Sequence, residues 1–153
     1  MVVSPLFISN EIVMNIYEVE RQLPNGFHDA FLKSVAIDYI KGTAVLEIEA
    51  WTGKMSEPLK RERYRGGRLN FSGLIGFVSD LPNNSFLSGE STGLGISLSP
   101  EGDVPKPFIK VARTDVSQEV FFASFYFEDC SSFLSIAATN CAWDFLTEER
   151  EIY

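Results

Sequence analysis

The residues best suited to chemistry are the single histidine, His28, and the aspartate beside it, Asp29. A histidine held by a carboxylate such as Asp29 or Asp38 can act as a general base. The same pair can instead shape the approach to a strand, with Asp29 in an Asx-type turn and His28 bonded to a backbone carbonyl. We favour the structural interpretation. His28 and Asp29 are therefore predicted as candidate binding residues, and no catalytic residue is predicted.

Metal chemistry is not indicated by the residue types. One histidine and two distant cysteines, Cys130 and Cys141, are too few for a recognisable zinc site. No clustered aspartates point to magnesium, and no glycine-rich phosphate-binding motif occurs. The sequence therefore predicts neither a metal nor a cofactor, and it predicts reduced thiols rather than a disulfide.

Residues 89–93, Gly-Glu-Ser-Thr-Gly, match the spacing of a nucleophile elbow. That motif requires a helix after the serine and a histidine later in the chain. Here the segment after Gly93 alternates as a strand does, and His28 precedes the serine. We interpret residues 89–93 as a loop that leads into a strand.

A second candidate site is a cationic segment, residues 54–68, which holds six of the thirteen Lys and Arg residues and two carboxylates. Its net charge of +4 leaves −12 for the remainder of a chain whose total is −8. Arg61, Arg63 and Arg65 alternate, so on a strand they project from one face. They are predicted to bind phosphate or an acidic partner, or to form a charged edge that blocks aggregation or pairs with neighbouring carboxylates.

The overall charge limits the possible partners. A chain of 153 residues with a formal charge of −8 and a pI near 4.6 repels nucleic acid and anionic membranes and favours basic partners. No apolar run approaches the ~20 residues of a membrane span, and the first residues lack the basic start of a signal peptide. We expect a cytoplasmic protein that forms one domain over residues 1–153.

Helical spacing appears near the N-terminus. Ser9 or Asn10 is suited to cap a helix over residues 9–23, and apolar residues recur every three or four positions on one stripe. Pro24 and the pair Asn25-Gly26 end it. The stripe, which should pack against a sheet, consists of Ile12, Ile16, Val19 and Leu23.

Residues 31–51 predict the first β-hairpin. Phe31, Val35, Ile37 and Tyr39 share one face with Lys33 as an exception, and the second strand presents Ala44, Leu46, Ile48 and Ala50. A two-residue turn at Lys41-Gly42 pairs Tyr39 with Ala44, Ile37 with Leu46 and Val35 with Ile48. This register places both apolar sets on the same side of the sheet.

The remaining segments also favour strands. Residues 59–78 form a basic strand region, in which a bulge at Gly66-Gly67 would bring Tyr64, Leu69 and Phe71 to one face. Residues 94–113 contain the middle strands, including one from Phe108 to Arg113. Residues 120–139 form the last hairpin, which repeats the layout of the first at an offset of 88 positions. The tail from Trp143 is expected to be a short helix or a frayed end.

The segment Phe27-His28-Asp29-Ala30, followed by Ile37-Asp38-Tyr39, resembles the opening of a group of small bacterial domains. Most members of that group have no known function, and some are similar to immunity proteins of polymorphic toxin systems. Leu69-Asn70-Phe71 fits their later Leu-x-Phe element. The resemblance carries over no catalytic residue.

Together these patterns predict an α+β, mostly β fold. It is an antiparallel curved sheet, or a partial barrel or sandwich, with an N-terminal helix packed on it. The leading functional hypothesis is a non-enzymatic, immunity-type inhibitor whose acidic surface binds a basic toxin domain. The alternative is a small-molecule-binding barrel or enzyme with a pocket near His28. A third is a self-associating domain, a homodimer that buries residues 61–65.

Overall fold

The computed structural model describes residues 12–54, 62–80, 93–112, 119–128, 132–148 and 150–152. Its helices are α1 (Ile16–Gln22) and α2 (Ile109–Ala112), the second preceded by a 3₁₀ turn at Lys106–Phe108. Its strands, in chain order, are β1 (Ala30–Asp38), β2 (Thr43–Trp51), β3 (Glu62–Ser72), β4 (Gly76–Ser79), β5 (Leu94–Leu98), β6 (Phe121–Phe127), β7 (Phe133–Ala138), β8 (Asn140–Phe145) and β9 (Arg150–Ile152).

These strands form one antiparallel sheet in the order β4-β7-β6-β5-β1-β2-β3-β8, and β9 pairs with β3. The path is open, but its ends are close together because β4 continues from β3 and β8 continues from β7. Thr139, between β7 and β8, donates its backbone N–H to the carbonyl of Gly73 at 3.2 Å. The sheet therefore curves back on itself without closing. The predicted α+β, mostly β class with an N-terminal helix on a curved antiparallel sheet is confirmed.

Helix α1 begins later than the apolar stripe predicts. Asn15 is the N-cap: its side chain accepts from the backbone N–H of Glu18 at 2.9 Å, and the Glu18 carboxylate accepts from the N–H of Asn15 at 2.8 Å. This capping box sets the start. Ile12 precedes the helix and is 79% exposed, so its place in the buried stripe is wrong. Ser9 and Asn10 lie outside the described residues.

The β1–β2 hairpin forms, but with a register two residues away from the predicted one. Ile37 pairs with Ala44, Val35 with Leu46 and Leu32 with Ile48, and the ladder shifts by one residue at Lys33. The loop spans residues 39–42 because a two-residue turn requires positive φ at its first position, which lysine resists. A shift of two preserves the faces from Val35 to Ile37, but the extra residue at Lys33 turns Phe31 to the opposite face, so its predicted place beside Val35 and Ile37 is wrong. The buried set of β2 is as predicted: Ala44, Leu46, Ile48 and Ala50.

Strand β3 has no bulge at its two glycines. It pairs with β2 in one continuous register, which places Gly66 opposite Glu49 and Gly67 opposite Ile48. Gly67 is instead required by a close approach, since a Cβ there would collide with the Trp143 ring. Tyr64 consequently lies on the face opposite Leu69 and Phe71, and the predicted common face is wrong.

Two other segments differ from expectation. The predicted strand from Phe108 is a helical turn, because Pro105 and Pro107 fix helical φ angles and the N–H of Phe108 bonds to the carbonyl of Pro105 at 2.9 Å. Arg113 lies outside the described residues. The tail from Trp143, expected as helix or frayed end, is strand: β8 pairs with β3 and β9 follows it.

The middle strand β5 and the last hairpin, β6–β7, are confirmed. The two hairpins do not share one register. Phe125 pairs with Leu134, whereas Ile37, at the corresponding position of the first hairpin, pairs with Ala44 rather than Leu46.

The core lies between α1 and the concave side of the sheet. Phe27, in the turn between α1 and β1, is 1% exposed and meets two sheet segments that are far apart in the strand order. Its ring lies 5.4 Å from Phe125 of β6 and 6.2 Å from Trp143 of β8, both edge to face. Phe27 therefore ties the helix turn to both arms of the curved sheet.

Truncating Phe27 should lower stability strongly. Phe27→Ala removes both ring contacts and leaves a cavity, so we expect the free energy of unfolding to fall by about 3–5 kcal/mol. Tyr39→Ala is the matched aromatic control: its side chain is 89% exposed, and the expected change is within about 0.5 kcal/mol. Urea denaturation measures both, and equal losses for the two variants would contradict the assigned core.

Candidate functional site

His28 and Asp29 form a pair at the surface. The Nδ1 atom of His28 lies 3.1 Å from Oδ2 of Asp29, and the two side chains are 64% and 53% exposed. Asp29 has φ of 54°, in the left-handed region that Asp tolerates better than most residues. The turn is closed by backbone bonds, from His28 N to Asn25 O and from Ala30 N to Phe27 O. The imidazole is held by Asp29 rather than by the backbone carbonyl expected from the sequence.

Trp51, at the end of β2, is the third member of this surface group. The His28 and Trp51 rings are 6.0 Å apart in an edge-to-face arrangement. Asn25 fixes the backbone beneath them, since its Nδ2 donates to the carbonyls of Trp51 and Gly53 at 3.0 and 2.7 Å. The sequence marked Asn25 only as a turn residue, because its bonding partners are more than 25 positions away.

The predicted arginines are held by other contacts. The guanidinium of Arg65 stacks 4.0 Å above the Phe145 ring, and its Nε donates to the carbonyl of Thr147 at 2.7 Å. Arg63 lies two positions away on the same face of β3, as predicted, and its carbonyl accepts from Thr52 N at 2.8 Å. Neither arginine forms a hydrogen bond or ion pair with His28 or Asp29. Arg61 lies outside the described residues.

Strand β2 carries a buried carboxylate, that of Glu49. Glu49 is 4% exposed, and its Oε1 atom lies 3.0 Å from Nζ of Lys33. Lys33 is the residue at which the β1 ladder shifts, and such bulges re-aim side chains. Phe31 and the buried Tyr64 pack 5.4 Å apart on the same face. In the sequence, Lys33 interrupts the apolar alternation of β1. This interruption is the feature from which a partner for Lys33 could have been predicted.

The loop of the first hairpin presents two uncovered apolar side chains. Tyr39 is 89% exposed and Ile40 is 99% exposed. Oδ1 of Asp38 accepts from the backbone N–H groups of Ile40 and Lys41 at 3.0 and 2.9 Å, which fixes the loop conformation. The carbonyl of Gly42 accepts from Leu74 N at 3.0 Å and joins the loop to the segment before β4. We call residues 38–42 the hairpin tip.

Three clefts are lined by described residues, and His28 borders none of these three. One of about 220 Å³ lies beside the hairpin tip, between Ile37 and the apolar residues Leu74, Ile75 and Phe77. Another of about 320 Å³ adjoins the start of α1, and a third of about 250 Å³ lies over β6. The hypothesis of a pocket near His28 stays a prediction.

Within the described ranges, no three His, Cys, Asp or Glu side chains are grouped closely enough to hold a metal ion. In that part of the chain, neither helix has the length and apolar character needed to cross a bilayer.

No protein-family model matches this chain, and no curated protein or solved structure shows significant similarity to it. The similarity of the His28 segment to immunity-like domains therefore stays a prediction.

The Lys33–Glu49 pair should be energetically coupled. Because Glu49 is buried, either single variant, Lys33→Met or Glu49→Leu, removes one charge of the pair and should lower the free energy of unfolding. The loss in the double variant should be smaller than the sum of the two single losses. A double-mutant cycle by urea denaturation should give a coupling of about 0.5–3 kcal/mol. The Arg68–Glu47 pair, half-exposed at 3.5 Å, is the control, with a coupling of about 0–1 kcal/mol. A larger coupling for the control would contradict the assignment.

The Cys141 thiol should be unreactive in the folded protein. Burial raises the pKa of Cys141 from 9.0 to about 12, so the thiol stays protonated. Stability from this protonated thiol is fully present below pH 9.0 and is lost as the pH rises towards 12. In a Cys130→Ser variant, a thiol reagent should label the native protein slowly and the urea-unfolded protein rapidly. Equal labelling rates would overturn this.

Proposed function

We propose that this chain is a non-enzymatic protein-binding domain, an immunity-type inhibitor that engages a basic toxin domain. The hairpin tip is the observation that carries the proposal. Contiguous apolar surface that a protein leaves exposed often marks an interaction site. Tyr39 and Ile40 are exposed in this way on a loop that Asp38 holds by two hydrogen bonds.

The rigidity of the tip favours binding. A loop that is already fixed loses less conformational entropy on association than a flexible one. Tyrosine is also enriched among the residues that dominate interface energies. The adjacent cleft, with Ile37, Leu74 and Phe77 on its walls, extends the apolar surface beside Tyr39. An interface centred here would have an apolar middle with polar residues around it.

The charge of the chain indicates the chemistry of the partner. With −8 overall, and −12 outside residues 54–68, most of the sequence is acidic. Such a surface accelerates encounter with a basic protein and disfavours acidic ones. A basic toxin domain that offers an apolar pocket to Tyr39 and Ile40 fits both observations. The similarity of the His28 segment to immunity-like domains supports the same class, and so does the expected cytoplasmic location.

The test uses the product of the adjacent gene as bait, first by co-purification and then by rescue of growth when both are expressed. The double variant Tyr39→Ser, Ile40→Ser should weaken binding by about 2 kcal/mol or more, roughly 30-fold in Kd. Association should slow as ionic strength rises, because salt screens the charge attraction. Leu146→Ser is the matched control, since Leu146 is 50% exposed elsewhere on the fold, and it should bind normally.

Three outcomes would contradict the proposal. The adjacent gene product fails to bind, binding is unchanged by the tip variant, or Leu146→Ser impairs binding equally. Thermal unfolding of each variant shows that folding is retained, so that loss of binding can be assigned to the tip itself.

A further inference from the structure

The cleft over β6 has a chemistry that the proposed protein interface does not use. It lies where the chain leaves β5 at Ser99 and returns across the outer face of β6, and its volume of about 250 Å³ suits a small molecule. Drug-sized ligand pockets begin at about 300 Å³, so the occupant is smaller than those ligands.

Buried hydroxyl groups form the floor of this cleft. Ser99 and Ser124 are 3% and 5% exposed. Oγ of Ser99 accepts from Ser124 N at 3.0 Å, and Oγ of Ser124 lies 2.6 Å from Oγ of Ser135 on β7. A hydroxyl has one donor and two acceptor positions. Ser124 lines the cleft, and its hydroxyl, which meets Ser135, keeps further hydrogen-bonding capacity.

Tyr17 of α1 holds this floor in place. Its hydroxyl donates to the carbonyl of Pro100 at 3.2 Å and lies 3.3 Å from Oγ of Ser99. Burial raises the pKa of Tyr17, so the hydroxyl keeps its proton for the bond to Pro100. The hydroxyl floor is thus fixed from the side of the helix before any ligand arrives.

Opposite charges border the same cleft without pairing. Asp103 and Lys106 both line it, three positions apart, yet neither side chain forms a hydrogen bond or ion pair with another described residue. The segment that carries them is restrained. Pro105 precedes the 3₁₀ turn with φ of −59°, and Phe108, buried at its end, packs 6.1 Å from Phe122. Both charges are therefore carried by a segment that Pro105 and the buried Phe108 restrain.

We propose that this cleft binds a small zwitterion of the α-amino acid class. Asp103 receives the ammonium group, and Lys106 with the hydroxyl of Ser124 receives the carboxylate, each through charge-assisted hydrogen bonds. Tyr126, 49% exposed at the border of the cleft, adds a ring face for the ammonium or for an apolar side chain. A neutral sugar would leave both charges without a partner, and a simple anion would be repelled by Asp103.

The experiment is isothermal titration of the full chain with each standard α-amino acid. Saturable binding of at least one is expected. Analogues of that amino acid lacking either the carboxylate or the amine should bind at least about tenfold more weakly, a change of 1.4 kcal/mol. Asp103→Asn and Lys106→Gln should each weaken binding by a similar factor. Both residues are exposed, so these substitutions should leave folding intact.

The controls are Asp80→Asn and Lys54→Gln, which remove the same charges at exposed positions outside both the residues that line this cleft and the hairpin tip. They should bind as the unchanged chain does. The proposal is overturned if no amino acid binds, if an analogue with one charge binds equally well, or if the Asp103 and Lys106 variants behave like the controls. Capture of a protein partner by the hairpin tip is a separate measurement, so the two proposals can fail independently.

Discussion

The contact of Phe27 with both arms of the sheet is the constraint on which the rest of the structure depends. The sheet does not close, so hydrogen bonding alone leaves its concave side open. Phe27 packs against Phe125 on one arm and Trp143 on the other and brings the helix turn into the gap between them. Because Phe27 points inward, the next two residues are carried outward in a turn with positive φ at Asp29. The exposure of the only histidine follows from the burial of its neighbour.

The one-residue shift at Lys33 has a comparable influence on the surface. Before it, Ala30 and Leu32 face the core, and Phe31 lies outside beside Tyr64. After it, Val35 and Ile37 take the core side, but near the open end of the sheet, where Val35 remains 38% exposed. Val35 and Ile37 thus form an apolar surface next to the hairpin tip. The same shift places the ammonium group of Lys33 3.0 Å from the buried carboxylate of Glu49, and this contact offsets part of the cost of desolvating that carboxylate.

The two proposed binding surfaces differ in physical character. The hairpin tip is a protruding apolar surface, suited to a large partner with a complementary pocket. The cleft over β6 is concave and polar, with a hydroxyl floor and one charge of each sign. Local contacts restrain both surfaces. The Asp38 carboxylate holds the tip by two hydrogen bonds, and Pro105 with the buried Phe108 holds the border of the cleft. Preorganised groups of this kind lose little entropy on binding.

The sequence by itself determined what depends on neighbouring residues. An α+β, mostly β fold is specified by three local patterns. They are the two-residue period of β2, the helical stripe through Ile16, Val19 and Leu23, and the turn at Asn25-Gly26. Contacts distant in the chain decided the rest. The buried Glu49 pairs with Lys33, which lies at the bulge of β1. Position 67 must be glycine because the Trp143 ring lies against it, and β8 forms because it pairs with β3. Periodicity reports which face a side chain takes. It does not report which strand lies opposite or where a face is left uncovered, because those depend on the assembled sheet. The tertiary structure therefore decided that His28 is a surface residue and that Tyr39 and Ile40 are left exposed.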